Sequence, residues 1–210
     1  MNLEEIKYLD LMNQILYHGE SKKDRTGVGT KSLFGTQLHF DISGSKIPLL
    51  TTKKVFVRGI IEELLFFING KTQTKELSEK GVRIWEGNTS REFLDSRGLT
   101  HYEVGEMGPM YGSLWRNFNG VDQLADVLDQ IKNNPDSRRM LITAYDHSKL
   151  KDSVLAPCHI LYQFYVGSKG LSCHYTQRSV DYCAGLPFNL VSATVLTRLL
   201  AKAAGIGTDK

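Results

Sequence analysis

This sequence has little that belongs to a membrane, a secretory route or a metal centre. No apolar run approaches the roughly 20 residues that a spanning helix needs. The opening residues carry Glu4 and Glu5 where a secretory leader has a basic stretch and then a greasy one. Cysteine is scarce. Cys158, Cys173 and Cys183 cannot all pair with one another, and free thiols predict a reducing, cytoplasmic setting. There is no C-x₂-C or H-x₃-H spacing. The doublets Cys158-His159 and Cys173-His174 fall in strand-like runs, where neighbours point to opposite faces and cannot chelate together. No metal is expected. Proline is scarce too, and no Pro/Ser-rich linker, repeat or low-complexity tract divides the chain, so residues 1–210 are read as one domain. The 26 basic and 23 acidic residues leave a net charge of only +3, too small a bias for domain-wide nucleic-acid binding.

What is present suits a packed globule: 41% of the residues are hydrophobic and 23% charged. Leu3, Ile6, Leu9, Met12, Ile15 and Leu16 recur at helical spacing, and Gly19 marks the stop. Residues 24–30 read as a turn-rich loop. The lone G-x-G within it, Gly27-Val28-Gly29, lacks the third glycine of a dinucleotide site. Phe34, Leu38 and Phe40 predict a strand. Residues 59–70 predict a short helix, apolar almost all round and therefore buried, yet carrying Glu62 and Glu63. Either carboxyl would be desolvated there and its pKa pushed up; the helical wheel does not choose between them. Residues 86–120, rich in Gly, Asn, Asp and Ser, read as long loops. Val121, Leu124, Val127, Leu128 and Ile131 predict a second helix, stopped before Pro135. Strands are expected over 140–145, 160–166 and 171–176, the last two joined by a hairpin at Gly167-Ser168-Lys169-Gly170. A long helix should run from Pro187 to Gly205. Strands and helices are interspersed without regular βαβ alternation, so the class is α+β.

Several residues could carry chemistry. Cys158, in Ala156-Pro157-Cys158-His159, is either a small buried hydrophobe or a nucleophile. Nearby cations favour the reactive thiolate of a cysteine, and Arg138, Arg139 and Arg178 lie in the flanking segments. Those three with Arg25 could also clamp an anion, since guanidinium groups match phosphate geometry. Trp85, Tyr111 and Trp115 could stack on a flat ligand, with core packing as the plainer reading. Together these residues suggest an anion site beside a possible thiolate and a buried carboxylate.

Ordered blocks along the whole chain resemble the thymidylate synthase family. They are DRTGVGT at 24–30, PLLTTKK at 48–54, GIIEELLFFING at 59–70, IWEGNTSREFLDSRGLT at 84–100 and GEMGPMYGSLWR at 105–116. NNPDSRRM at 133–140, LAPCHILYQFYV at 155–166 and LSCHYTQRSVDYCAGLPFNL at 171–190 complete the set. The resemblance implies a mixed β-sheet packed with helices, with a sheet face used for dimerisation. It implies conversion of dUMP and 5,10-methylenetetrahydrofolate to dTMP and dihydrofolate, without a metal.

By motif, Cys158 resembles the nucleophile that adds to C6 of uracil. Arg178 and Ser179 would hold the dUMP phosphate with Arg25, and Arg138 and Arg139 would reach the phosphate of a neighbouring subunit in a homodimer. Asn189 would read the uracil O4 and N3 edge, an amide being able to donate to O4 and accept from N3–H. An aspartate marks the related dCMP hydroxymethylases at that position. Glu63 resembles the glutamate that moves protons, which settles the choice the wheel left open. Tyr111 resembles the tyrosine that helps remove the C5 proton. Asp181 would bond the pterin, and His159 and Gln177 match positions around the nucleotide. Lys53, Ile84, Trp85, Asn88, Gly185 and Phe188 would line the folate side.

The chain departs from the family pattern at Ala184, at Tyr145-Asp146, at Glu106-Met107 and at His174-Tyr175-Thr176, where Gln-Leu-Tyr is usual. Ala184 and the altered strand keep open a dUMP hydroxymethylase on the same fold. Family members continue past the equivalent of Lys210 with a His-x-Tyr strand and a closing tail. The domain is therefore expected to be C-terminally incomplete, which also leaves open a non-catalytic nucleotide- or RNA-binding fragment.

Overall fold

A computed structural model describes residues 3–23 and 27–209. Its centre is an antiparallel sheet of three strands, β3 (Leu141–Thr143), β4 (His159–Gly167) and β5 (Gly170–Gln177), in that order. Preceding them are α1 (Leu3–His18), the two-stranded ribbon β1 (Glu20–Lys22) and β2 (Thr30–Ser32), and the helices α2 (Val57–Ile68), α3 (Lys75–Glu79), α4 (Arg91–Ser96), α5 (Gly112–Arg116) and α6 (Gln123–Asn133). The long helix α7 (Leu186–Ala204) follows β5 and packs on it, on α2 and on α6. The core lies where these meet, around Leu64, Trp115, Met140, Ile142, Phe164 and Leu196. No described helix is long and apolar enough to cross a membrane. The α+β expectation stands.

The helix ends are written locally. α7 carries Pro187 in its first turn, where the missing N–H is no loss, and ends on Gly205 in the left-handed region at φ 75°. Asp122 caps α6 by accepting the Ala125 N–H at 3.0 Å, so Val121 lies before the helix and is exposed. The β4–β5 hairpin closes on Gly167 and Gly170. At its other end the register shifts between His159 and Leu161, a β-bulge at the start of β4.

Two sequence expectations are corrected. Residues 33–44 form no strand: Phe34 is wholly exposed, and Leu38 turns instead to a small cluster with Tyr8, Leu50 and Leu186. The alternation is present, but a strand needs a ladder partner for its backbone groups. The segment faces β5 and α7 across a groove of about 680 Å³. At the head of that groove Thr208 pairs in parallel with Leu171 of β5 and donates its hydroxyl to Ile42 O at 2.8 Å. Residues 86–120 are not all loop. They hold α4, α5 and a 3₁₀ turn at Gly87–Thr89, elements of three to six residues, too short to show a period.

Candidate active site

The site is built where α2, the start of α5, the bulged end of the hairpin and the start of α7 converge. On α2, Phe66 and Phe67 turn inward and the two glutamates part company. Glu62 pairs with exposed Lys80 at 2.7 Å. Glu63 accepts the Trp85 indole N–H at 2.7 Å, and among the described residues no ion pair holds it. Its side chain is partly accessible, yet the protein packed around the carboxyl pushes its pKa up to about 7 against the pull of the indole. A carboxyl with that value can both give and take a proton at neutral pH.

Tyr111 stands across from Glu63, tilted on Phe67 (5.1 Å between ring centroids) and on Trp85 (6.2 Å). Its backbone sits at φ 44°, a left-handed conformation that a tyrosine adopts only under constraint. The next residue supplies part of it. Gly112 opens α5 flat against α2, where a Cβ would lie 2.2 Å from Phe67 O. So fixed, the Tyr111 hydroxyl accepts the Cys158 backbone N–H at 3.0 Å, and burial holds the phenol well above its usual pKa.

Cys158 is partly accessible and unpaired. Arg178, just past β5, braces the loop that carries it. Nε donates to Pro157 O at 2.8 Å, Nη2 donates to Ala156 O at 2.7 Å, and Nη2 lies 3.8 Å from the Cys158 sulfur. A guanidinium has five N–H donors, so the two on Nη1 remain, and among the described residues they bond nothing. Among the described residues, Arg178 is thus the arginine brought to the cysteine. Arg138 and Arg139 are exposed before β3, and among the described residues their guanidiniums make no hydrogen bond or ion pair. Arg25 lies outside the described residues. Ser179 is exposed next to Arg178.

His159 packs on Tyr111 at 5.0 Å and is hydrogen-bonded to the Asn189 side chain, in the first turn of α7. Burial pushes its pKa down to about 4, so the ring is neutral at neutral pH. Gln177 pairs with His159 across the sheet.

On the other side of the site, Asp181 accepts the backbone N–H groups of Cys183 (3.0 Å) and Ala184 (2.7 Å), shaping the turn into α7. Ile84 is exposed beside Trp85, while Asn88, Lys53, Gly185 and Phe188 are partly buried. Trp115 does not belong here. It is 1% exposed in the core, so of the three aromatic candidates only Trp85 and Tyr111 reach the site.

Sequence reasoning missed how α1 holds two of these segments. Glu5 is buried and accepts four hydrogen bonds, from the N–H and hydroxyl of Thr51 (both 2.7 Å) and of Thr52 (both 2.8 Å), directly before Lys53. The Thr51 hydroxyl leads in pulling its pKa down to about 2. One turn on, Tyr8 and Tyr182 stack at 4.7 Å and exchange hydroxyl-to-carbonyl bonds of 2.9 and 2.8 Å, directly after Asp181. The available signal was the spacing of Glu5, Tyr8 and Leu11, which puts the acid on one helical face with two large apolar residues.

An accessible cysteine braced by an arginine lies with a carboxyl whose pKa is raised to about 7 and a neutral imidazole–amide pair, the groups a candidate nucleophilic site needs. The family model for thymidylate synthase matches residues 6–210, and the chain belongs to that family. It is 50% identical over 211 residues to bifunctional dihydrofolate reductase-thymidylate synthase 1 of Arabidopsis thaliana, covering 94% of this chain and 40% of that protein. The bifunctional dihydrofolate reductase-thymidylate synthase of Paramecium tetraurelia is 48% identical over 212 residues, 95% of this chain and 46% of that protein. That of Leishmania major is 48% identical over 220 residues, 98% of this chain and 42% of that protein. The chain spans about two fifths of the length of these relatives.

Proposed function

We propose that this chain carries the thymidylate synthase reaction, converting dUMP and 5,10-methylenetetrahydrofolate to dTMP and dihydrofolate. The observation that supports it most is the meeting of Cys158, Arg178, Tyr111, Glu63 and the His159–Asn189 pair in one site. C5 of uracil is a poor nucleophile until a thiolate adds at C6 and leaves an enolate. Cys158 is the residue for that addition, and the Asn189 amide would hold the O4 and N3 edge. Glu63 would give a proton towards O4 and recover it through ordered water, which its pKa near 7 permits. Tyr111, neutral and rigidly held, would receive the C5 proton in relay with solvent. Methylenetetrahydrofolate supplies the one-carbon unit and then the hydride. The aromatic wall of Trp85 and the exposed carboxylate of Asp181 suit the flat, hydrogen-bonding pterin.

The Nη1 donors of Arg178, with Ser179 and Arg25, would take the nucleotide phosphate. The unengaged guanidiniums of Arg138 and Arg139 support a homodimer in which they reach the neighbouring subunit's phosphate. Three free cysteines support a reducing, cytoplasmic setting.

The test is incubation with 5-fluoro-dUMP and methylenetetrahydrofolate, followed by intact and peptide mass spectrometry. Fluorine at C5 blocks loss of the proton, so a stable adduct on the Cys158 peptide is expected. It should be absent in Cys158→Ser. No adduct on the wild-type chain would overturn the reading.

A further inference from the structure

We propose that Tyr175 is a positioning residue of the nucleotide site: with the Gln177 amide it fixes His159, and through His159 the orientation of the Asn189 amide that would read the pyrimidine edge. The inference rests on the dUMP reading above and adds a determinant of base choice to it.

Residues 175 and 177 alternate on β5 and share a face. The bulge in β4 lets three steps of that strand, from 159 to 162, oppose two steps of β5, since His159 pairs with Gln177 and Tyr162 with Tyr175. His159 and Tyr162 therefore share a face despite their odd spacing. The Tyr175 ring stands edge-on to His159 at 5.3 Å and tilted on Tyr162 at 4.7 Å. Its hydroxyl and the Gln177 Nε2 are both shut off from solvent, and among the described residues neither completes a hydrogen bond. The Tyr162 phenol faces the Tyr175 hydroxyl at the limit of a hydrogen bond, short of a well-formed one.

Buried polar groups are nearly always satisfied, and two unsatisfied ones beside one imidazole mark a seat for a shared polar partner such as an ordered water. That partner would engage one nitrogen of His159 while Asn189 engages the other. A neutral imidazole has one donor and one acceptor nitrogen, so holding one end decides what the other offers. The amide of Asn189 orients accordingly. One orientation donates to uracil O4 and accepts from N3–H; the flipped one matches the amino group and bare N3 of cytosine.

The experiment removes only the hydroxyl. Dissociation constants for dUMP and dCMP are measured by calorimetry on wild type, Tyr175→Phe and, as a control, exposed Tyr165→Phe. Wild type should prefer dUMP. Tyr175→Phe should lose about three- to tenfold of that preference, the worth of one hydrogen bond. Tyr165→Phe should keep it. The ¹⁵N shifts of the His159 ring should report one tautomer in wild type and a mixture in Tyr175→Phe, a change that looser packing alone does not produce. A preference within twofold of wild type, or an unchanged tautomer, overturns the inference. A wild-type chain with no preference for dUMP overturns the reading beneath it, and the inference with it.

Discussion

The two ends of the β4–β5 hairpin are made of similar residues and behave differently. Towards the turn, Phe164 pairs with Cys173 and Val166 with Leu171 in unbroken register, and Phe164 and Leu171 are buried. At the open end the register slips at the bulge, and among the described residues polar atoms of Tyr175 and Gln177 find no partner. His159 is held neutral there, and Arg178 folds back on the cysteine loop. The turn end is arranged for stability. The open end keeps polar groups in protein surroundings, where each interaction is stronger and each unmet one costs more. The candidate site lies where the ladder stops being regular; a regular ladder uses up its backbone groups and alternates its side chains without exception.

The contrast can be broken from either side. Glu63→Gln keeps the shape of the open end's partner on α2 but removes its proton. The rate of adduct formation with 5-fluoro-dUMP should fall about 10²- to 10⁴-fold, the usual reach of a general acid–base group, with no loss of folding stability. Phe164→Ala at the closed end should do the reverse. It should cost about 3–5 kcal/mol in urea unfolding, while the folded fraction still labels at Cys158.

A pH series sharpens the difference. Glu63 has a folded pKa of about 7 against an ordinary 4.5, so the folded state binds its proton more tightly than the unfolded state. The stability this lends is full below pH 4.5 and is lost as pH rises through 7, a fall of about 3 kcal/mol. His159 has the opposite sign. Its folded pKa of about 4 lies below the ordinary 6.5, so its contribution is present above pH 6.5 and lost as pH falls through 4. Stability of wild type minus that of Glu63→Gln, measured at pH 4 to 8, should decline with pH and isolate the first effect. The smallest change is expected at the turn itself. Lys169→Ala should move stability by less than about 0.5 kcal/mol and leave adduct formation untouched.

How much of this was legible varies with the kind of signal. The helices at residues 57–68, 123–133 and 186–204 announced themselves through pattern and punctuation, as did the hairpin through its glycines; the helix at 3–18 was legible too, but it buries Glu5, Tyr8 and Leu11 and leaves Leu3, Ile6 and Leu16 exposed. The strand expected from Phe34, Leu38 and Phe40 failed because alternation states which face is apolar and says nothing of a neighbour to bond. The site was legible through its motif far more than through its physics. The wheel left Glu62 and Glu63 equivalent, and only the packed helix gave one a lysine and the other an indole. Three arginines were candidates for the cysteine, and the turn after β5 delivered Arg178.

By itself, the sequence determined the class, the main helices, the hairpin and, through ordered motifs, the family. Those are properties of short segments, set by side-chain period, caps and glycine. The tertiary structure decided which carboxyl is desolvated, which arginine lies 3.8 Å from the sulfur, and how a bulge brings His159 to the face of Tyr162 and Tyr175. It also decided that α1 holds the segments bearing Lys53 and Asp181 through Glu5, Tyr8 and Tyr182. Desolvation and hydrogen-bond geometry depend on atoms far apart in the chain, and no local pattern fixes where those atoms meet.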